Sequence, residues 1–309
     1  MNQEVAISIV IPVFNAAETL VELNHQIVSF MNKEEYSYEV IYVDDRSSDG
    51  SWKILSELQK NTPKQIKIIR FIKNFGQHEA TMCGMLHATG QNIITMDDDL
   101  EHNVDDIEEL ITCKKETNAK VVYGMYPNDE SQRVRKILTR FYRFVSKAEG
   151  ENKAKGSSFR LLDVSIVQHL KKHEYSFVWL DEMFLWYTPT PKFVDLKLNE
   201  NNKGRRSRYS LFRLIRLTFH IMLHTTTIPL QLLITLGFGM SLLNFVIGGY
   251  YLFKKVFLGA QLGFTSIIVS ILFTSGIILI GIGILGIYIS RINSIVNREP
   301  HYSIDEKKC

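Results

Sequence analysis

The chain has 309 residues, a net charge of +3 and a mean hydropathy near zero, so it is long enough for one substantial domain and a further segment. The near-neutral charge gives no reason to expect a nucleic-acid partner. Cys83, Cys113 and Cys309 lie far apart without metal-ligand or paired spacing, so we expect reduced thiols in a cytosolic setting.

Strands and helices are predicted to alternate through the first hundred residues. The apolar run from Ala6 to Val13 is typical of a buried parallel strand. Further strands are predicted from Tyr38 to Val43, Ile66 to Phe71 and Asn92 to Met96, with helices between them. This alternation predicts a mostly parallel, doubly wound sheet, in which ligands bind beyond the carboxyl ends of the strands.

Three consecutive acidic residues, Asp97, Asp98 and Asp99, follow the fourth predicted strand. Carboxylates this close repel one another unless a cation lies between them. Mg²⁺ is commonly held by one or two carboxylates together with a substrate phosphate. A solvated acidic loop that caps the next helix is the alternative, and this segment alone leaves both interpretations open.

Polar loops also follow the second and third predicted strands. Asp44 and Asp45 end the second strand, and Lys73 to His78 open the next helix, where backbone amides favour an anion such as a phosphate. No GxGxxG pattern follows any of the predicted strands, and no GxxxxGK[ST] pattern is present in the sequence. These observations argue against a hydride-transfer enzyme and against a P-loop nucleotidase.

The C-terminal third has the composition of a membrane hairpin. Ile228 to Phe253 and Phe264 to Ser290 carry no charged residue, and each run exceeds the ~20 residues that a helix needs to cross a bilayer. Two such runs in succession make a buried core helix the weaker interpretation. The sequence therefore predicts a domain over 1–204, an interfacial segment over 205–227, two spans within 228–290 and a tail over 291–309.

Basic residues predict the orientation of this hairpin. Lys254 and Lys255 are the charged residues of its connecting loop, whereas arginines flank its outer ends: Arg205, Arg206, Arg208, Arg213 and Arg216 before it, and Arg291 and Arg298 after it. The large domain and the tail are therefore expected on the cytoplasmic side. The segment before the first span resembles an amphipathic helix lying in the headgroup layer, with a plain connecting helix as the alternative.

Several blocks of the chain resemble glycosyltransferase family 2, and within it the polyprenyl-phosphate glycosyltransferases. They are IVIPVFNAAETL (9–20), VIYVDDRSSDGS (40–51), KNFGQHEATMCGMLHATG (73–90), MDDDLEH (96–102), GSSFRLL (156–162), RSRYSLFRLIRL (206–217), TTTIPLQLLITLG (225–237) and GIGILGIYISRI (281–292). The resemblance runs from about residue 5 to about residue 303. It includes bactoprenol glucosyltransferases and undecaprenyl-phosphate aminoarabinose transferases.

The resemblance implies a GT-A fold, an α/β domain with a Rossmann-like and mostly parallel sheet, before the interfacial helix and the hairpin. It implies a nucleotide-sugar donor (UDP- or GDP-linked), an Mg²⁺ or Mn²⁺ cofactor and inverting transfer to a polyprenyl phosphate. Undecaprenyl phosphate is the expected acceptor, the bacterial cytoplasmic membrane the expected location, and a tetramer a possible assembly.

The same resemblance implies roles for individual residues. It gives the metal to Asp97 and Asp99, with Glu101, where the family usually has Gln, either as a further ligand or as a residue that contacts the ligands. Arg160 is a catalytic candidate for binding the acceptor phosphate, because a guanidinium binds phosphate oxygens two at a time. The nucleotide contacts are Pro12, Phe14, Asn15, Asp44, Asp45, Gly76 and the backbone of Asp98. The further candidates for the acceptor phosphate are Arg205, Arg206 and Arg208, for which anchoring to anionic lipid is an equal alternative.

Two further segments depart from the family pattern. Ala16 stands where relatives often have Glu, and Ser157 and Ser158 stand where some relatives carry an Asp proposed as a base. Asp181 or Glu182 is an alternative base. We favour no base, because a phosphate monoester has a second pKa of roughly 6 and is largely a dianion near neutral pH.

Two other functions are weighed against this one. A processive polysaccharide synthase of the same fold is disfavoured, because the acceptor motif Gln-x-x-Arg-Trp is incomplete at Gln132 to Lys136. A non-catalytic membrane scaffold is disfavoured by the intact acidic residues at both strand ends. Loss of function on replacing Asp97 with Asn is expected of an enzyme and not of a scaffold.

Overall fold

The computed structural model describes residues 5–126, 157–172, 180–188, 190–196, 264–296 and 300–308, and isolated helical positions between 235 and 257. The described residues fall into two units. One contains the α/β core together with residues 300–308, and the other contains the helix Phe264–Val296. Each unit is described by itself below.

The core unit contains a mixed sheet of eight strands among the described residues. In chain order they are β1 (Ile7–Val13), β2 (Tyr38–Asp44), β3 (Ile66–Phe71), β4 (Asn92–Thr95), β5 (Val121–Met125), β6 (Arg160–Asp163), β7 (Lys192–Asp195) and β8 (Ile304–Lys308). Their spatial order is β7-β5-β6-β4-β1-β2-β3-β8.

The centre of the sheet is parallel, as predicted, and its margins are mixed. Strand β1 pairs in parallel with β2 and β4, β2 with β3, and β5 with β7. Strand β6 is antiparallel to β4 and β5, and β8 is antiparallel to β3. The prediction of a mostly parallel α/β sheet is confirmed.

Helices cover both faces of this sheet. They are α1 (Leu20–Lys33), α2 (Ser51–Asn61), α3 (Gln77–His87), α4 (Ile107–Thr117), α5 (Val164–Lys171) and α6 (Leu180–Tyr187). Every residue of β1 is buried, which explains its continuous apolar sequence, because a strand covered on both faces has no solvent side. The apolar side chains form one buried cluster on each face.

The second unit contains α7, Phe264–Val296, which continues past the predicted end of the second span at Ser290. No helix in the described part of the chain is both long enough and apolar enough to cross a membrane. The interfacial segment, Arg133, Arg135 and most of the first predicted span lie outside the described residues. The predicted hairpin stays a prediction.

Residues 304–308, predicted as tail, form β8 at the edge of the sheet instead. Four of its five side chains are exposed. An edge strand with no buried face lacks the alternation by which strands are recognised from sequence.

Candidate active site

The carboxyl ends of β1, β2 and β4 meet at one edge of the core unit. Phe14 follows β1, Asp44 and Asp45 end or follow β2, and the acidic triplet 97–99 follows β4. Parallel neighbours place these polar loops side by side. The loop after β1 contacts the loop after β4 directly, since the Phe14 amide donates to Asp98 Oδ2 at 3.1 Å.

Asp97 is held by three side chains from three parts of the chain. Gln77 Nε2 donates to its Oδ1 at 2.6 Å, and Ser158 Oγ donates to its Oδ2 at 2.6 Å. Its amide donates to His102 Nδ1 at 3.2 Å. Because an ionised carboxylate can accept about four hydrogen bonds, lone pairs on both oxygens remain for a ligand.

Asp98 carries the clearest sign of crowded negative charge. Burial, together with Asp99 and Asp97, raises its pKa to about 6, although the Phe14 amide opposes the shift. Its carbonyl accepts from Thr19 Oγ1 at 2.6 Å. The partly buried loop therefore holds three adjacent carboxyl groups whose mutual repulsion a cation would relieve.

The donor set fits a hard divalent cation completed by a ligand phosphate. Asp97 and Asp99 offer carboxylate oxygens, the ligands that Mg²⁺ and Mn²⁺ prefer. Among the described residues, no three acidic, His or Cys side chains are gathered as a complete metal cage. Glu101 is exposed, and its amide donates to Asp99 Oδ1 at 3.0 Å. Its role as a ligand stays a prediction.

Asp45 and Asp44 have different positions although they are adjacent in sequence. Asp45 accepts from the amides of Phe75 and Gly76 at 2.6 and 2.8 Å. Burial raises its pKa, while these two hydrogen bonds oppose the shift. Asp44 is fully buried, with Oδ2 3.1 Å from Arg70 Nε in an ion contact that lacks hydrogen-bond alignment.

A first cavity of about 300 Å³ lies against the acidic triplet. Its walls include five of the predicted nucleotide residues, which are Pro12, Phe14, Asp45, Gly76 and Asp98. Gly76 has a φ of 108°, a conformation that glycine adopts without steric penalty. Asp44 and Asn15 are not among the lining residues, and Asn15 instead ties the loop after β1 to the loop after β2 through Ser48.

A second cavity of about 280 Å³ shares Pro12, Gln77 and Asp97 with the first. Its other walls include Ser158 and Arg160. The two cavities therefore meet at Asp97, one on the side of the loops after β1 and β2, the other on the side of β6. Two ligands can approach the same carboxylate from different sides.

Arg160 is 3% exposed and is held on three sides. Its Nε donates to Thr95 Oγ1 at 3.1 Å, and its guanidinium lies 5.1 Å from the ring centre of Phe184. One terminal nitrogen forms a short ion pair with Asp181 Oδ1, which also accepts from Tyr123 Oη at 2.9 Å. Both described hydrogen bonds of the Asp181 carboxylate are therefore accepted by Oδ1. Asp181 also lines the second cavity.

His78 is a half-buried wall of the second cavity. Burial and then the positive charge of Arg160 lower its pKa to about 4, while Asp181 opposes the shift. The imidazole is therefore neutral near pH 7. A neutral imidazole beside a paired guanidinium adds a polar group to the cavity without adding charge.

Ser158 was noted only as a departure from the family pattern, and no side chain was predicted to hold Asp97. Gln77, Ser158 and His102 each lie in one of the motif blocks quoted for the family resemblance. Their membership of a motif block was the signal that the sequence offered for these three residues. Their contacts with Asp97 depend on the fold. Arg205, Arg206 and Arg208, and the side chain of Glu182, lie outside the described residues.

An α/β domain whose polar loops meet at the carboxyl ends of parallel strands belongs to the class of doubly wound α/β folds that bind ligands at this edge. The profile of "Glycosyl transferase family 2" matches residues 8–176, which is more than half of the chain. The chain belongs to glycosyl transferase family 2.

Curated relatives match over nearly their whole length. An undecaprenyl-phosphate 4-deoxy-4-formamido-L-arabinose transferase of Sodalis glossinidius is 28% identical over 96% of this chain and 92% of its own. A prophage bactoprenol glucosyl transferase homolog of Escherichia coli K12 is 28% identical over 98% of this chain and 99% of its own.

Solved structures of low sequence identity share the fold. Glucosyl-3-phosphoglycerate synthase from Mycobacterium tuberculosis, solved with UDP, is 15% identical with a TM-score of 0.52 over 71% of this chain and 78% of that one. The structure of the same enzyme with Mn²⁺, UDP and phosphoglyceric acid is 14% identical in sequence, with a TM-score of 0.51. The match covers 71% of this chain and 76% of that one. The predicted GT-A-like architecture is confirmed at the level of the fold.

Proposed function

We propose that this chain transfers a sugar from a nucleoside diphosphate sugar to a polyprenyl phosphate, with undecaprenyl phosphate as the acceptor and inversion at the anomeric carbon. The product is a lipid-phosphate-linked sugar for cell-envelope glycan assembly or modification. The observation that carries the proposal is the pair of cavities that meet at Asp97. The names of the curated relatives, which act on undecaprenyl phosphate or bactoprenol, support the acceptor.

The first cavity is the proposed nucleoside diphosphate site. Phe14, Asp45 and Gly76 surround the nucleoside, and Asp97 and Asp99 hold the metal, with Glu101 as a further ligand. A bound Mg²⁺ or Mn²⁺ supplies compensation for the charge that develops on the leaving diphosphate. The structural neighbours solved with UDP and Mn²⁺ support both components.

Asn15 and Asp44 act from outside this cavity in the proposal. Asn15 Oδ1 accepts from the Ser48 amide at 2.8 Å, and Asp44 Oδ1 accepts from the Ser47 amide at 3.0 Å. These contacts order the two loops around the nucleoside. A fully buried Asp44 is better suited to that work than to contacting the base.

The second cavity is the proposed site of the transferred sugar and the acceptor phosphate. Arg160 keeps unused N–H groups beyond those bonded to Thr95 and Asp181, since a guanidinium has five donors. It orients an acceptor phosphate oxygen toward the anomeric carbon. Asp181 neutralises part of its charge and offers its second oxygen to a sugar hydroxyl.

The transfer needs no proton removal from the nucleophile. The acceptor phosphate has a second pKa of roughly 6, so near pH 7 a nucleophilic oxygen carries negative charge already. That oxygen forms the new bond to the anomeric carbon as the bond to the diphosphate oxygen breaks, and the electron pair leaves with the nucleoside diphosphate. The side chains around Asp97 therefore position the two substrates and compensate their negative charge, and none of them acts as a base.

We place the chain at the cytoplasmic membrane with the core unit facing the cytoplasm. Exposed side chains of α7 are large and apolar, as at Ile271 and Leu279, which are 59% and 68% exposed, and such a surface is suited to lipid. The hairpin of residues 228–290 spans the bilayer in this proposal, and Arg205, Arg206 and Arg208 meet the acceptor phosphate at the surface. A homo-oligomer, with four copies as the family suggests, is part of the same proposal.

The test is a transfer assay with the full chain purified in detergent. The protein is incubated with Mn²⁺ or Mg²⁺, undecaprenyl phosphate and a panel of UDP- and GDP-sugars, and the lipid fraction is analysed by mass. We expect one hexose or modified sugar added to the lipid phosphate. If no donor gives a sugar phospholipid, the proposal fails.

Asp97→Asn and Asp105→Asn form a matched pair for this assay. Asp97 lies where the cavities meet, whereas Asp105 is an exposed carboxylate outside both. We expect a loss of about 10²-fold or more for Asp97→Asn and wild-type turnover for Asp105→Asn. Retained turnover in Asp97→Asn contradicts the role of Asp97.

A further inference from the structure

The residues that follow α7 in the chain return to the core unit as β8. Its register on β3 runs from Ile68 opposite Lys308 to Phe71 opposite Ile304. The Ile72 amide also donates to the Ser303 carbonyl at 3.1 Å. Strand β3 would otherwise present an unpaired edge, so this segment completes the sheet beside the loop that contains Asp45.

Asp305 on β8 contacts the residue that directly follows Asp45. Its Oδ2 lies 2.5 Å from a terminal nitrogen of Arg46. Arg46 has a φ of 62°, a left-handed conformation that is unfavourable for residues other than glycine. The ion pair therefore restrains the side chain of a residue whose backbone sets the direction of the loop.

Tyr302 reaches Asp45 from the other side through two aromatic rings. Its ring stacks on Phe71 at 5.1 Å, and Phe71 meets Phe75 edge-on at 5.6 Å. The Phe75 amide donates to Asp45 Oδ1 at 2.6 Å. Since Phe71 is fully buried, this packing is close, and movement of the Tyr302 ring is transmitted to the amides that hold Asp45.

Lys308 gives a third contact, to the ring of Trp52, which also contacts the partner of Asp44. Its ammonium lies 5.6 Å from the ring centre of Trp52, and the guanidinium of Arg70 lies 5.2 Å from the same ring centre. Arg70 is the cation beside buried Asp44. These three contacts of the segment therefore lead to Asp44 and Asp45, the two carboxylates where β2 ends.

We propose that residues 300–308 are a positioning element of the nucleoside diphosphate site, acting through Arg46 and Phe75 on Asp45. Residues 300–308, Arg46 and Phe75 do not line either cavity, so the element acts on Asp45 without touching the ligand. The inference rests on the proposed function, because it presumes a nucleotide in the first cavity. The element follows α7 in the chain and is therefore far in sequence from the strands on which it acts.

Binding of UDP and GDP to the full chain, measured by calorimetry with Mn²⁺ and without acceptor, tests this proposal. We expect Asp305→Ala to weaken binding of the preferred nucleotide about two- to five-fold, the range of an exposed ion pair. Tyr302→Ala is expected to weaken it about ten-fold, because misplacement of a binding group by about 1 Å is costly. The matched control is Glu116→Ala, which removes an exposed carboxylate on α4, outside residues 300–308, and is expected to bind as wild type.

A double-mutant cycle and the kinetic parameters separate positioning from general stability. If Asp305 acts through Arg46, Asp305→Ala has no further effect in an Arg46→Ala background. The KM for the donor rises in Asp305→Ala and Tyr302→Ala, while the KM for undecaprenyl phosphate does not change. A chain ending at Glu299 is expected to show the largest loss of nucleotide affinity, but the point variants decide the matter if it fails to fold.

The outcomes distinguish this inference from the function on which it rests. Wild-type nucleotide affinity in both Asp305→Ala and Tyr302→Ala, even with a lower melting temperature, overturns the positioning role and leaves the transferase intact. Failure of the unaltered chain to bind either nucleotide overturns both proposals.

Discussion

The backbone amide of Phe14 donates to the carboxylate of Asp98 across 3.1 Å, joining residues 84 positions apart in the chain. This hydrogen bond connects the loop after β1 to the loop after β4. It holds the acidic triplet against the wall of the first cavity. The proposed metal site is therefore a product of sheet topology as much as of the Asp-rich sequence.

Asp45→Asn tests the wall of the nucleotide cavity. An amide side chain has one acceptor oxygen, so it cannot accept from both Phe75 and Gly76 as the two carboxylate oxygens do. We expect the KM for the donor to rise about ten-fold, in line with the loss of one charge-assisted hydrogen bond, with kcat within about two-fold. Steady-state kinetics at saturating acceptor measure both. A fall in kcat with unchanged KM would place Asp45 outside donor binding.

Asp181→Asn tests the absence of a general base. Tyr123 and Arg160 can still donate to the amide oxygen, so the geometry around Asp181 is preserved. We expect turnover to fall about ten-fold or less, because general-base catalysis is worth about 10²- to 10⁴-fold and is not used here. Tyr123→Phe is the milder companion variant. A loss beyond about 10³-fold, restored at high pH, would identify Asp181 as a base.

Glu79→Gln tests a pH dependence of stability. Burial, and to a smaller extent Asp45, raises the pKa of Glu79 to about 7 from 4.5. The folded state therefore binds a proton that the unfolded state releases between about pH 4.5 and 7, and the free energy of unfolding falls as pH rises through that window. We expect Glu79→Gln to lack this fall and to be more stable than wild type by about 1 to 2 kcal/mol at pH 8, a value reduced for solvent screening.

The measurement for Glu79 is urea unfolding at pH 5 and at pH 8. Glu57→Gln is the control, because Glu57 is an exposed carboxylate on the neighbouring α2. Glu57→Gln should leave the difference in the free energy of unfolding between pH 5 and pH 8 as it is in the wild type. An equal pH dependence in Glu79→Gln and wild type would contradict the prediction.

Gly84→Ala tests the packing of α3 on the sheet. A Cβ at Gly84 would lie 2.3 Å from Val10 Cγ1 and 3.2 Å from Val43 Cγ2. Both valines are fully buried, so the helix must shift, and we expect the free energy of unfolding to fall by about 1 to 3 kcal/mol. Gly50→Ala is the control, since its added Cβ meets only Ala17 Cβ at 3.9 Å. Equal denaturation midpoints for the two variants would contradict the packing argument.

The sequence by itself determined the architecture of the core and the place of its chemistry. Continuous apolar runs such as β1 predict central strands because both faces are buried, and the predicted bounds of the first four strands agree with the structure to within about one residue. The polar loops after β1, β2 and β4 then had to share one edge. Asp45 and the triplet 97–99 were predicted there and lie there.

Tertiary structure alone decided which side chains hold these carboxylates. Asp44 and Asp45 are neighbours of the same type and both are buried, yet one contacts Arg70 and the other lines a cavity, because alternate residues of a strand end face opposite ways. Strand β8 likewise could not be predicted from the sequence, since its charged side chains follow no periodicity. Its position depends on backbone pairing with β3, more than 230 residues earlier, and such pairing leaves no local pattern from which to predict it.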